Sequence, residues 1–118
     1  MLFVCYPKCT TCQKAKKWLE EKGVTFEERH IKEKNPSIEE IKDWHKRSGL
    51  PLKKFFNTSG LLYRELKLKE KLPNMSEEEQ YEILASDGMI VKRPILIGDG
   101  FALVGFNEAR WKTALGLE

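Results

Sequence analysis

The chain has 118 residues, of which 41% are hydrophobic and 33% are charged, as in one soluble domain with a real core and not in a disordered chain. Its 21 Lys and Arg residues exceed its 18 Asp and Glu residues by only three, so the charge gives no reason to expect a nucleic-acid or membrane partner. We therefore expect a single domain over residues 1–118, as a monomer.

The amino-terminal segment has no basic leader, and its apolar run is too short for a signal peptide. No later stretch approaches the roughly 20 apolar residues of a membrane span. We therefore expect a cytoplasmic protein without a membrane partner. Thiols are kept reduced in that compartment, so three cysteines favour catalysis, redox sensing or metal binding over a disulfide scaffold.

The first elements predict a strand–helix–strand unit. Residues 2–6 form a short apolar run that is typical of a buried strand. From Thr10 the apolar residues recur on one helical face until Gly23 interrupts the pattern. Residues 24–31 then alternate as a second strand does.

The middle of the chain, about residues 35–90, is helical in character. Two capping boxes predict helix starts, and each is followed by a glycine that predicts a helix end. Residues 53–72 predict shorter helical pieces with an interruption at residues 57–60. The capping boxes are Ser37 with Glu40 and Ser76 with Glu79, and the glycines are Gly49 and Gly88.

The end of the chain predicts a hairpin followed by a helix. Residues 95–97 and 101–104 flank a Gly-Asp-Gly turn, and Asn107 is placed to cap the last helix. The order βαβ, helices, ββα predicts an α/β thioredoxin-like fold, in which two halves share one mixed sheet and residues 35–90 form a helical insertion. Four large aromatic residues are expected in the core: Trp18, Trp44, Phe55 and Phe56.

Cys9 and Cys12 form a C-x-x-C pair at the start of the first predicted helix. Free backbone N–H groups and the helix dipole favour an anion there, so we expect a lowered pKa for Cys9, with Lys8 adding positive charge. Cys12 lies about one helical turn later, where its sulfur can meet that of Cys9. We predict that Cys9 attacks and Cys12 resolves, with Thr10 and Thr11 between them as supporting residues.

Two buried apolar thiols or a zinc site are the alternatives for this pair. A structural zinc site needs four ligands, and the remaining Cys5, His30 and His45 are scattered singly. We therefore expect no metal and no other cofactor. Cys5 shares a strand face with Phe3 and is expected to be a buried thiol, while the two histidines are expected at the surface or hydrogen-bonded.

Three segments together resemble the ArsC/Spx family of arsenate reductase-like proteins, and the resemblance extends over nearly the whole chain. The segments are Tyr6 to Cys12, Lys92 to Ile95 and Val104 to Glu108. Base rates alone predict a trans bond before Pro94, but in thioredoxin-like folds a proline at this place is cis and faces the cysteine pair. Arg93 is expected to stabilise an anion or the Cys9 thiolate; the alternative is a solvated charge before a strand.

The resemblance implies two different activities. In the glutaredoxin-coupled arsenate reductases of the family, a cysteine that matches Cys9 attacks the oxyanion, and three arginines bind it. Arg93 matches one of the three, whereas Asn57 and Gly105 stand at the other two positions, which argues against arsenate turnover. Cys12 instead resembles the Spx branch, which implies a redox switch that binds the C-terminal domain of the RNA polymerase α subunit.

Two hypotheses of function follow. The first is an enzyme, a thiol–disulfide oxidoreductase that cycles Cys9 and Cys12 with electrons from thioredoxin, glutaredoxin or a low-molecular-weight thiol. The second is a redox-responsive regulator that binds the RNA polymerase α subunit without turnover and without direct nucleic-acid contact. We favour the first because the cysteine pair is intact.

Overall fold

A four-stranded mixed sheet forms the centre of the computed structural model, which describes residues 1–117; Glu118, the last residue of the predicted domain, lies outside the described residues. The sheet order is β2-β1-β3-β4. β1 is parallel to β2 and antiparallel to β3, and β3 is antiparallel to β4, so the predicted mixed α/β sheet is confirmed. The strands are β1 (Leu2–Cys5), β2 (Glu27–His30), β3 (Ile95–Gly98) and β4 (Phe101–Val104).

The helical insertion lies between β2 and β3, as predicted. Residues 57–60 carry no helix, as predicted, and lie between a 3₁₀ turn at Leu52–Phe55 and the helix that begins at Leu61. Two further 3₁₀ turns follow in the insertion, at Leu72–Asn74 and Gly88–Ile90. Within residues 1–117, none of the helices is both long enough and apolar enough to cross a membrane. The helices of the described chain are α1 (Thr10–Glu21), α2 (Ile38–Ser48), α3 (Leu61–Glu65), α4 (Leu68–Lys71), α5 (Glu77–Ser86) and α6 (Glu108–Leu115).

Both predicted capping boxes are formed. The Ser37 hydroxyl accepts the Glu40 N–H at 3.1 Å, and the Glu40 carboxylate accepts the Ser37 N–H at 3.0 Å. Ser76 and Glu79 make the same reciprocal pair at the start of α5. Each box satisfies N–H groups that a helix start leaves unpaired. Gly49 ends α2 in the left-handed conformation that the sequence predicts.

The predicted role of Gly88 as the stop of α5 is wrong. The helix ends at Ser86, Asp87 is extended, and Gly88 begins a 3₁₀ turn. A Cβ at Gly88 would collide with the Ile31 carbonyl oxygen. This glycine therefore lets the insertion approach the chain that leaves β2, a long-range requirement that a local pattern does not reveal.

The second strand is shorter than the predicted 24–31. Pairing begins where the Glu27 N–H donates to the Met1 carbonyl oxygen at 2.8 Å, and β1 offers only Leu2–Cys5 as partners. Val24 instead closes the end of α1, because its N–H donates to the Leu19 carbonyl oxygen. The available partner strand, and not the alternation of side chains, sets the length of β2.

The sheet divides the core into two layers. Alternate side chains of a strand point to opposite faces, so Val4 and Ile95 face the insertion, whereas Phe3 and Leu96 face α1 and α6. All four aromatic residues that were expected in the core are buried. Trp18 packs with Trp111 beside the cysteine pair, and the other three belong to the insertion and pack in the core layer on its side of the sheet.

Gly88→Ala should lower the free energy of unfolding by about 3 kcal/mol, since the added methyl group forces backbone away from the Ile31 carbonyl. Urea unfolding followed by tryptophan fluorescence measures the change. Gly100→Ala is the control, because open space surrounds that position and only its φ of +80° is unfavourable, at a cost of about 1 kcal/mol. An equal loss in the two variants would show that the close approach is not what requires Gly88.

Candidate active site

Cys9 lies at the junction between β1 and α1, where it is the N-cap residue of the helix. Its backbone is extended, with φ −83° and ψ 123°. The Cys9 N–H donates to the Tyr6 carbonyl oxygen at 2.9 Å, and its carbonyl oxygen accepts the Gln13 N–H at 3.0 Å. Both backbone groups are thus used, and the Cys9 side chain itself makes no hydrogen bond that caps the helix.

The pKa of Cys9 is lowered from its ordinary value. Partial burial opposes ionisation, but the backbone N–H groups of Cys12 and Thr11, the Cys12 thiol and the charge of Arg93 all favour the anion and lower this pKa. The lowered pKa that the sequence predicts is therefore present. The cation behind it is Arg93 and not the predicted Lys8, which is exposed in the turn.

Cys12 has the opposite environment. Its side chain is only 2% exposed, and burial raises its pKa to about 12, against a hydrogen bond from the Tyr6 N–H that favours the anion. The charge of Cys9 raises it further. Both thiols are free in this structure, and of the two only Cys9 has a lowered pKa and so ionises more readily than an ordinary cysteine.

Arg93 and Pro94 lie beside the pair at the start of β3, and the bond between them is cis. The guanidinium of Arg93 stacks over the Tyr6 ring at 5.4 Å, and its Nη1 donates to the Met89 carbonyl oxygen at 3.2 Å. Its Nε is buried and has no hydrogen-bond partner among the described residues. A planar donor held near Cys9 with one N–H unused can bind an anion.

The structure also locates the predicted supporting residues Thr10 and Thr11 and adds two residues, Tyr6 and Gln13, to the site. Thr10 and Thr11 are exposed first-turn residues of α1, and the contribution of Thr11 comes from its backbone N–H. Sequence reasoning gave no role to Tyr6, which orients both Cys12 and Arg93. Gln13 was also missed, and its side chain donates to the Pro7 carbonyl oxygen at 2.9 Å and braces the turn.

Cys5 and the two histidines have the environments that the sequence predicts: the thiol is buried and the histidines are hydrogen-bonded. Cys5 is 2% exposed, and burial together with Glu28 raises its pKa to about 12. His30 accepts two backbone N–H groups through Nδ1, and His45 Nδ1 lies 2.8 Å from the Tyr81 hydroxyl. Within residues 1–117, no group of three or more His, Cys, Asp or Glu side chains is placed to hold a metal ion.

The two positions without arginine lie at the same edge of the fold as Arg93. The Asn57 N–H donates to the Ile90 carbonyl oxygen at 2.7 Å, and the Gly105 N–H donates to the Pro94 carbonyl oxygen at 2.8 Å. The backbone N–H groups of Asn57 and Gly105 are therefore both hydrogen-bonded within the fold. Arg93 supplies the guanidinium there, and neither Asn57 nor Gly105 adds a second.

Comparisons with known proteins agree on one family. The model of the ArsC family matches residues 5–114. The chain is 58% identical over 112 residues to the uncharacterized protein YusI of Bacillus subtilis (strain 168), covering 95% of both. It is 31% identical over 102 residues to the global transcriptional regulator Spx of Staphylococcus epidermidis, covering 86% of this chain and 76% of Spx. The crystal structure of an ArsC family related protein from Bacteroides fragilis matches with TM-score 0.93 and 54% identity, covering 95% of this chain and 94% of that one.

Cys12→Ala should raise the pKa of Cys9, because it removes the Cys12 thiol, which helps to lower that pKa. The midpoint of the pH dependence of Cys9 alkylation by iodoacetamide, followed by mass spectrometry, should therefore move to higher pH. Cys12→Ser is the control, since its hydroxyl keeps a donor and should give a smaller shift. A midpoint for Cys12→Ala at or below that of the unmodified protein would contradict this account of the site.

Proposed function

This chain belongs to the ArsC family, and from that premise we propose that it is a thiol–disulfide oxidoreductase that works through Cys9 and Cys12. One observation carries the proposal: the two thiols have opposite environments. The pKa of Cys9 is lowered at the helix start, while that of buried Cys12 is raised to about 12. A nucleophile and a resolving thiol need this difference, since the thiolate is the attacking form.

The proposed cycle begins with the Cys9 thiolate. It attacks one sulfur of a substrate disulfide, and the other sulfur leaves as a thiolate that takes a proton from solvent. Cys9 is then uncharged in a mixed disulfide, so the repulsion by which its charge raises the pKa of Cys12 disappears. Cys12 ionises, attacks the Cys9 sulfur and releases the second thiolate, which leaves a Cys9–Cys12 disulfide.

A second reaction closes the cycle. A dithiol donor such as thioredoxin or glutaredoxin, or two equivalents of a low-molecular-weight thiol, supplies two electrons and two protons and restores both cysteines. We assign this cycle to the cytoplasm, where such donors are kept reduced. No metal or cofactor enters any of these steps.

The supporting residues have assigned roles in this proposal. Arg93 stabilises the Cys9 thiolate, since its charge lowers the pKa of Cys9. Pro94 follows Arg93 through the cis bond and is assigned a place beside the pair, and Thr10 and Thr11 supply the helix start. Lys8 is exposed in the turn before Cys9 and adds a solvated positive charge there.

The proposal does not extend to arsenate reduction. A tetrahedral oxyanion is held by several charge-assisted bonds, and guanidinium groups give the bidentate ones. Asn57 and Gly105 stand where the family's arsenate reductases have their other two arginines. A disulfide, which is uncharged at its reacting atoms, does not need them.

A redox-responsive regulator is the second candidate function, and the 31% identity with the transcriptional regulator Spx favours it. In this candidate, oxidation of Cys9 and Cys12 changes a surface that binds the RNA polymerase α subunit, and no turnover occurs. The same thiol asymmetry serves either function, because a sensor also needs one reactive cysteine.

Cys12→Ser, expressed in cells with an affinity tag, should accumulate covalent adducts on Cys9, because no resolving thiol remains to expel the bound partner. Non-reducing gels and mass spectrometry identify the trapped proteins, and dithiothreitol should release them. The double variant Cys9→Ser, Cys12→Ser is the control for adducts at other sites. Adducts that persist in the double variant, or none in either protein, would refute the assigned roles.

An affinity pull-down of the tagged protein separates the two functions. We expect the RNA polymerase α subunit at background level and disulfide reductase activity above that of Cys9→Ser. A near-stoichiometric yield of the α subunit, together with reductase activity equal to that of Cys9→Ser, would establish the regulator instead.

A further inference from the structure

A groove of about 890 Å³ opens between the insertion and the carboxyl end of β4. Five cationic side chains line it, and no acidic side chain does so within the part of the chain that the structure describes. None of the five takes part in a salt bridge within that part. The chain as a whole has nearly equal numbers of basic and acidic residues, so positive charge is concentrated locally in this groove. The cations are Lys53, Lys54, Lys69, Lys92 and Arg110.

Apolar side chains and Thr58 lie between these cations. Two aromatic side chains line the groove, Phe56 and Tyr63, which are 1% and 6% exposed, with ring centroids 6.3 Å apart. Leu50 and Pro51 extend the apolar lining. A charged rim over an apolar, aromatic floor suits a polypeptide segment that carries both acidic and apolar side chains.

A second cavity continues the basic groove, which is defined by the five cations. It has a volume of about 260 Å³ and shares Leu50, Val104 and Arg110 with the groove. It is lined by residues 102–105, which belong to or follow the edge strand of the sheet. The two adjoining cavities offer more room than a compact anion such as phosphate fills, which favours a polypeptide segment.

The basic groove lies beside the chain segment that carries Arg93. Lys92 lines the groove and directly precedes Arg93, and its N–H donates to the Phe55 carbonyl oxygen at 2.7 Å, which fixes it to the insertion. Gly105, which lines the adjoining smaller cavity, donates its N–H to the Pro94 carbonyl oxygen at 2.8 Å. A segment lying in the groove therefore passes next to Arg93, whose charge acts on Cys9.

We propose that the basic groove docks an acidic, extended segment of the protein whose disulfide Cys9 attacks. This inference rests on the proposed function and names the class of its substrate. The groove attracts the acidic segment of the substrate protein and orients its disulfide toward Cys9. The bonds that form and break are those of the thiol–disulfide cycle described above. Long-range attraction by unpaired lysines accelerates association of acidic partners, and salt weakens it.

The test uses two synthetic peptides with the same disulfide, one flanked by glutamates and the other by lysines. The measurement is the second-order rate constant at which each peptide oxidises the reduced protein. We expect a preference of about tenfold or more for the acidic peptide at low ionic strength, falling as salt is added. The neutral bis(2-hydroxyethyl) disulfide serves as reference, because its reaction reports on the cysteine pair alone.

The variant Lys53→Glu, Lys54→Glu should lose the preference when its rates are normalised to its own rate with the neutral disulfide. Its matched control is Lys17→Glu, Lys34→Glu, which changes the net charge equally. Lys17 lies on α1, and Lys34 follows β2 at the sheet edge opposite β4. The proposal is supported if the groove variant loses the preference for the acidic peptide and the control variant keeps it. It is overturned if both variants lose the preference equally, if both keep it equally, or if the unmodified protein shows no preference.

Binding of the acidic peptide with its cysteines changed to serine separates this inference from the proposed function. If the neutral disulfide fails to oxidise the reduced protein, the oxidoreductase proposal fails. Salt-sensitive peptide binding that needs Lys53 and Lys54 would then still support docking, and absence of binding would overturn it. A single-stranded oligonucleotide that binds at Lys53 and Lys54 more tightly than the peptide does would also overturn the docking proposal, because the natural occupant of the groove would then be nucleic acid.

Discussion

Unpaired backbone N–H groups at the first turn of α1 determine the character of the site. A helix leaves its first N–H groups without partners, and those of Thr11 and Cys12 lower the pKa of Cys9 at the N-cap position. The start of the helix therefore stabilises the Cys9 anion, and a stabilised thiolate favours the reduced form of a dithiol pair.

The sheet supplies what the helix alone lacks. Because β3 lies beside β1, Arg93 comes to stand over Tyr6 and acts on Cys9 from more than 80 residues away in sequence. The same sheet buries Cys12 among the side chains that α1 and α6 share. One cysteine is therefore left at the edge of the core and the other inside it, which is the origin of their opposite tendencies to ionise.

The insertion is fixed to the rest of the fold and carries three of the five cations of the basic groove, Lys53, Lys54 and Lys69. Its backbone is joined to the approach to β3 at two places, through Asn57 and Lys92. Gly88 permits close contact with the chain after β2. In the docking that we propose, these attachments keep the positive charge beside the chain that carries Arg93, where it attracts the acidic partner of Cys9.

The amino-acid sequence by itself determined the local features of this protein. The capping boxes, the order of helices and strands, the buried aromatics and the helix-start position of the cysteine pair all depend on residues within a few positions of one another. Such interactions leave a periodic or spaced signal. Only the tertiary structure decided which cation serves Cys9, why Gly88 is required, what Tyr6 does and where five cations gather. Each of these depends on segments that lie far apart in the chain, and no local spacing records which of them meet.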